Sequence, residues 1–209
     1  MKLVLLGAPG SGKGTISQMF KTFLEIPYLC TGEIFRQLAD ECSPMGIKAR
    51  DEYWGHGNLV PDEITNQLVK EMISKPKYSE SFILDGFPRT RNQAETLDNI
   101  VGGCIPVLIE ASQKILLERI VNRRLCSNKS CGIIYNIKTV PPKSKGKCDR
   151  CNQDLYQRED DNTEIFGQRL EVYNEQISGV LDYYQDRVLR VDGKQSLLRV
   201  FLDTVKIIG

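Results

Sequence analysis

Residues Gly7 to Thr15 read GAPGSGKGT and wrap a flexible, glycine-rich bend around one lysine, Lys13. With Gly7, Gly10, Gly12 and Gly14 in it, such a bend can turn its backbone N–H groups toward anionic oxygens, and the lysine adds a mobile positive charge beside them. The spacing is that of a polyphosphate-binding loop, G-x4-G-K, with one departure. Where a hydroxyl ordinarily follows the lysine this chain has Gly14, and the hydroxyl arrives at Thr15, so no direct Thr–magnesium bond is expected. A second group of residues, Asp85-Gly86-Phe87-Pro88-Arg89-Thr90, offers a carboxylate for a hydrated magnesium ion, a flexible glycine and an arginine. A third, TGEIFR from Thr31 to Arg36, supplies a hydroxyl, a glycine and a second arginine at a helix start. Arg36 and Arg89 together form a candidate phosphate clamp facing the glycine loop.

Four cysteines carry a different chemistry. Cys126 and Cys131 are spaced C-x4-C, and after sixteen residues Cys148 and Cys151 follow as C-x2-C. The set resembles a zinc ribbon, whose four thiolates close a tetrahedral structural site and leave no open position for catalysis. Its work would be to hold together a small segment with too few apolar residues to fold alone. Seven cysteines in all is an odd number, and their clustering argues for metal rather than a disulfide framework. Cys30, Cys42 and Cys104 are scattered and read as core or half-buried thiols. The one histidine, His56 in Trp54-Gly55-His56-Gly57, reads as a loop residue rather than a catalyst.

Short apolar or β-rich runs must position these groups: Leu3–Leu6, Pro27–Cys30, Phe82–Leu84, Pro106–Ile109 and Val188–Val191. Helix-length segments separate most of them: Thr15–Leu24, Glu33–Asp40, Glu63–Ile73, Gln93–Ile100, Gln113–Arg124, Glu164–Tyr184 and Leu197–Val205. Apolar residues at spacings of three and four, such as Ile64, Leu68 and Met72, support the helices. Alternating strands and helices predict a parallel sheet covered on both faces, with ligands collecting beyond the carboxyl ends of the strands. The chemistry-bearing motifs follow such ends. Two segments interrupt the alternation, Thr31–Val60 and Leu125–Asp161, and both are expected as insertions at the ligand edge.

The 209 residues fit one core with insertions rather than two independent domains. A net charge of +1 leaves no overall basic field for nucleic acid, so any positive site must be local. The apolar run behind Met1-Lys2 is too short for a secretion signal, and no stretch approaches the roughly 18 residues of a membrane span. A soluble, cytoplasmic protein is expected.

Six ordered segments, GAPGSGKGT, TGEIFR, GNLVPDE, DGFPRT with Gln93 behind it, RIVNRR, and REDDN followed by QRL, resemble adenylate kinases of the long-lid type along essentially the whole chain. The resemblance implies an α/β P-loop kinase core (1–29, 61–124 and 162–209) around a five-stranded parallel sheet. It also implies a nucleoside-monophosphate-binding insertion (30–60) and a lid (125–161) bearing the cysteines. The implied reaction is reversible, magnesium-dependent phosphoryl transfer from ATP to AMP, giving two ADP, in a monomer. By position, Gly10, Ser11, Gly12, Lys13, Gly14, Thr15, Arg119, Arg123, Ile134, Tyr135 and the backbone near Gln195 would hold ATP. Thr31, Arg36, Asn58, Leu59, Val60, Gly86, Phe87, Pro88, Arg89 and Gln93 would hold AMP, with Gln93 reading the adenine edge. Arg158 and Arg169 would span both phosphate chains, and Lys13, Asp85, Arg89, Arg123, Arg158 and Arg169 would carry catalysis.

Spacing adds two expectations. Arg119 and Arg123, four apart on a helical segment, would share a face. Asp160-Asp161-Asn162 would interrupt the path from Arg158 to Arg169 as a turn and helix cap. Three rival readings are weaker. A kinase for UMP, CMP or GMP would share the same machinery, whereas a GTPase switch would need an N-K-x-D motif, and here Asn128-Lys129-Ser130 is followed by Cys131. A zinc-ribbon nucleic-acid binder could use Lys138, Lys143, Lys145, Lys147 and Arg150, which a solvated lid explains equally well.

Overall fold

The computed structural model describes residues 1–209. Its core is a five-stranded sheet built from β1 (Lys2–Leu6), β2 (Tyr28–Cys30), β3 (Phe82–Asp85), β4 (Ile105–Glu110) and the later strand Leu189–Asp192. The spatial order is β2-β3-β1-β4 and then that late strand, with every neighbouring pair parallel. All five predicted strands are present. Each apolar run feeds both faces at once, because successive side chains of a strand point to opposite sides. Val4, Leu6, Leu84 and Leu108 enter one core cluster, while Leu3, Leu5, Ile83, Val107 and Ile109 enter the other.

Helices close both faces. The first cluster is covered by α4 (Asp62–Ile73) and α5 (Arg91–Val101), together with the long helix Thr163–Tyr184. The second is covered by α1 (Lys13–Leu24) and the carboxyl-terminal helix Leu197–Ile208. Between β2 and α4 the chain forms α2 (Thr31–Asp40) and α3 (Pro44–Glu52), with no strand, as the sequence predicts for this insertion. Its small core is Phe35, Ala49, Val60 and Leu68. Cys42 lies exposed in the α2–α3 turn rather than half-buried, since the chain reverses there with φ 56° and presents it to solvent.

The predicted helix from Gln113 to Arg124 is shorter than its sequence suggests. The helix α6 spans Gln113–Val121, and Asn122 caps it by donating its amide N–H to Glu118 O. The next residues form β5 (Arg123–Cys126), which pairs antiparallel with β6 (Ile134–Asn136) and β7 (Leu155–Tyr156) in a separate three-stranded sheet. Pairing across this second sheet outcompetes another helical turn. Arg119 and Arg123 therefore do not share a helix face. Completing the order, α7 is Thr163–Tyr184, β8 Leu189–Asp192 and α8 Leu197–Ile208.

Candidate active site

The glycine bend joins the buried carboxyl end of β1 to the first turn of α1. Gly10 has φ 84°, and a Cβ there would stand 2.6 Å from Leu116 O, so both conformation and space demand glycine. Ser11 is buried, Gly12 caps α1, and Gly14 and Thr15 lie in its first turn, where unpaired amides favour an anion. Lys13 folds back over the bend, its Nζ donating to Gly7 O at 2.7 Å, Ala8 O at 3.0 Å and Ser11 Oγ at 3.3 Å. Burial pulls its ammonium down to about 8, against the opposing pull of Asp85.

Asp85 ends β3 beside this bend, almost fully buried, and its carboxylate accepts no hydrogen bond from the protein. A carboxylate kept without a protein donor next to a phosphate cradle fits a hydrated magnesium ion. A Cβ at Gly14 would lie 3.6 Å from Asp85 Oδ2 and 3.9 Å from Ile134 Cδ1, both ordinary contacts, so the bend, the carboxylate and the small sheet meet here without space alone demanding glycine. Arg119 closes the cradle's far side, donating to Ser11 O at 3.2 Å and to Gln195 O at 3.1 Å.

A cleft opens between the α2–α3 insertion and the core. Its walls include Thr31, Arg36, Asn58, Leu59 and Val60 on the insertion side and Gly86, Arg89, Gln93 and Arg169 on the core side. Thr31 Oγ1 donates to Gly86 O at 2.9 Å, tying the two walls together. Gly86 has φ 79°, and a Cβ there would stand 2.8 Å from that hydroxyl. Phe87 instead packs in the core, and Pro88, joined to it by a cis peptide, lines the adjoining space. Gln93 is held at both ends of its amide: Oε1 accepts from Arg89 N at 2.7 Å, and Nε2 donates to Asp62 Oδ1 at 2.7 Å. Asp62, which also accepts from Thr90 Oγ1 at 2.6 Å, has no role in the sequence reading. Its only signal is its place in the GNLVPDE segment.

The arginines converge between cradle and cleft. Lys13, Arg89 and Arg169 line one adjoining cavity. Arg36 and Arg169 each donate to Asp160 Oδ2 at 3.0 Å, and Arg123 grips Asp161 with two nitrogens. Burial favours the neutral acid at Asp160, yet Arg36, Arg169, Arg158 and Arg123 together hold its carboxyl below the usual range. Burial likewise disfavours the charge on Arg158, but Asp160, Asp161 and Glu33 raise its affinity for the proton, while its Nε is buried without a partner. Asn162 is the N-cap of α7, accepting from Ile165 N at 2.9 Å, so the turn and cap are where the sequence indicates. The two aspartates do more than turn the chain: they are the internal counter-ions of the arginine collar.

Comparison with known proteins agrees with this geometry. A family model described as adenylate kinase matches residues 5–189. The chain belongs to the adenylate kinase family. Three similar relatives, each called adenylate kinase, come from Clostridium perfringens (strain SM101) and Thermosipho melanesiensis at 42% identity and from Clostridium botulinum (strain Hall) at 41%. In each case the similarity covers 100% of this chain and 99% of the relative. The chain is accordingly a nucleoside monophosphate kinase that transfers phosphoryl between ATP and AMP.

The small sheet and the segments between its strands carry the four cysteines, Cys126 at the end of β5 and the other three outside the strands. The four Sγ atoms lie within 4.8 Å of one another, with Cys126–Cys151 at 3.3 Å and Cys131–Cys148 at 3.7 Å. Metal–sulfur bonds of about 2.3 Å in a tetrahedron require sulfur–sulfur edges of roughly 3.8 Å, so the set is compatible with zinc. Burial works against a thiolate at Cys148, but the backbone amides of Cys151 and Arg150 and the Tyr135 hydroxyl bring it down to about 6. Tyr135 is turned into this cluster, donating to Cys148 Sγ and accepting from Asp149 N, whereas Ile134 faces the glycine bend. The sequence names the pair without distinguishing the two. No helix is long and apolar enough to cross a membrane.

Proposed function

We propose that the chain performs magnesium-dependent, in-line phosphoryl transfer from ATP to AMP, giving two ADP, with a lid that closes over the donor nucleotide. The observation that carries this reading is the convergence of Lys13, Arg89 and Arg169 on one cavity between the glycine cradle and the second cleft. The proposed division is a core of residues 1–29, 61–124 and 162–209, an AMP-binding insertion 30–60 and a lid 125–161. Donor phosphates would lie on Gly10 to Thr15, with Arg119, Arg123, Ile134 and the Gln195 backbone bounding the nucleotide. The acceptor would lie among Thr31, Arg36, Asn58 to Val60, Gly86, Arg89 and Gln93.

The acceptor phosphate needs no general base, because its second pKa is about 6 and it is mostly dianionic near neutrality. Catalysis is then alignment and charge neutralisation. Magnesium would supply charge compensation to the donor phosphates, with Asp85 holding its water shell. Lys13, Arg89, Arg123, Arg158 and Arg169 would surround the transferring group, their internal carboxylate partners Asp160 and Asp161 yielding to phosphate oxygens. Asp62 would aim Gln93 at the adenine. A closed lid would exclude water and so suppress ATP hydrolysis. Zinc on Cys126, Cys131, Cys148 and Cys151 would stabilise that lid, and the protein would act as a cytoplasmic monomer. The test is an ATP-plus-magnesium assay against AMP, UMP, CMP and GMP, with and without a zinc chelator. AMP should be the preferred acceptor, and comparable turnover of all four would overturn the base assignment.

A further inference from the structure

The AMP cleft holds two buried donors that the assigned chemistry leaves unused. Arg36 spends one terminal nitrogen on Gly32 O and the other on Asp160, and its Nε is buried with no partner. Trp54, in the single turn Trp54–His56 that closes the insertion, lines the same cleft, and its indole Nε1 is also buried without a partner. The two side chains touch: Arg36 Cζ stands 5.3 Å from the indole ring centroid, within cation–π range. The indole also packs against the Phe35–Ala49–Val60–Leu68 cluster.

Buried unsatisfied N–H groups are rare and costly, and an indole nitrogen can only donate. Both nitrogens lie at one wall of the cleft with almost no surface open to it, so an acceptor reaches them only as that wall shifts around a bound ligand. On the reading of this cleft as the AMP site, we propose that Trp54 is a further recognition residue for AMP. Its ring holds the Arg36 guanidinium in place, and its Nε1–H donates to an oxygen of the bound ribose phosphate. Arg36 Nε then donates alongside it. Trp54 thus discriminates for an oxyanion-bearing acceptor nucleotide and takes no part in the donor site.

The sole tryptophan of the chain is its own reporter. Its emission is expected to change on AMP addition, with half the change reached near the AMP KM, and to stay unchanged on ATP alone. Trp54→Phe keeps an aromatic face over Arg36 and the packing below it but removes the N–H. Losing a hydrogen bond to a charged acceptor is expected to raise the AMP KM about tenfold, with kcat and the ATP KM within about twofold of wild type. A wild-type AMP KM in W54F, an equal rise in both nucleotide KM values, or wild-type emission indifferent to AMP would overturn the role of Trp54. Arg36→Ala separates this from the reading it rests on. A raised AMP KM in R36A beside an unaltered one in W54F removes only the tryptophan's role, whereas an unaltered AMP KM in R36A removes the cleft assignment itself.

Discussion

On the proposed function Lys13 is the side chain on which the chemistry depends most, and its surroundings make its behaviour measurable. It replaces water around its ammonium with two carbonyls and a hydroxyl, so the charge is already aimed when phosphate arrives. Lys13→Ala should lower kcat by about a hundredfold or more, the scale of losing one preorganised electrostatic donor, and steady-state kinetics will read it directly. The pH dependence follows from burial. A lysine lowered from 10.5 to about 8 is charged below that value and loses its charge as pH rises through it. At subsaturating ATP, kcat/KM should therefore fall above about pH 8, and a profile flat to about pH 9.5 would contradict the assignment. Stability runs the other way for this group, because deprotonation relieves a buried charge. It adds stability as pH climbs from about 8 toward 10.5. Asp62 makes a second test: Asp62→Ala frees the Gln93 amide and should raise the AMP KM roughly tenfold without moving the ATP KM.

At the scale of elements, the cysteine-bearing sheet is the part that cannot stand alone. Its buried core is Cys126, Tyr135 and Cys148, with little aliphatic surface to bury. Four thiolates on one ion would supply the missing cross-links. About one equivalent of zinc should copurify. Its removal, or Cys148→Ser, should expose the Ile137–Lys147 stretch to limited proteolysis and weaken ATP use while AMP binding persists. Uniform resistance with and without chelator would contradict this role. These elements also mark what was legible in the sequence. The inner strands β1, β3 and β4 could be read because strands buried on two faces are nearly continuous apolar runs, whereas the half-exposed edge strands β2 and β8 were legible as short β-rich stretches between helix-length segments. The end of α6 could not, since Val121-Asn122-Arg123-Arg124 is compatible with another turn of helix. Only pairing with Ile134–Asn136 and Leu155–Tyr156, distant in sequence, draws it into a strand. The same limit applies to the site. The glycine bend and the arginines declare themselves by residue type, whereas the counter-ion work of Asp160 and Asp161 and the Asp62–Gln93 contact exist only once separate elements meet.

The whole molecule brings three bodies of chain against one another at the transfer centre. Ile134 of the small sheet approaches Gly14 of the core, and Lys129 near its tip pairs with Asp40 of the α2–α3 insertion at 2.7 Å. The Arg36–Asp160–Arg169 bridge links the insertion, the approach to α7 and the core. The Lys129–Asp40 pair is exposed and contributes little stability, so on the proposed function closure is driven by substrate charge meeting the collar. The most direct measurement of that claim is a crystal structure with a magnesium-bound bisubstrate mimic, two adenosines joined by an oligophosphate. The expected result is one adenosine in the cleft of Thr31 and Gln93 and the other beside Arg119. The joining phosphates should run past Lys13 and displace Asp160 and Asp161 from the arginines. Electron density for the mimic in only one of the two sites, with the aspartates still paired, would contradict the account.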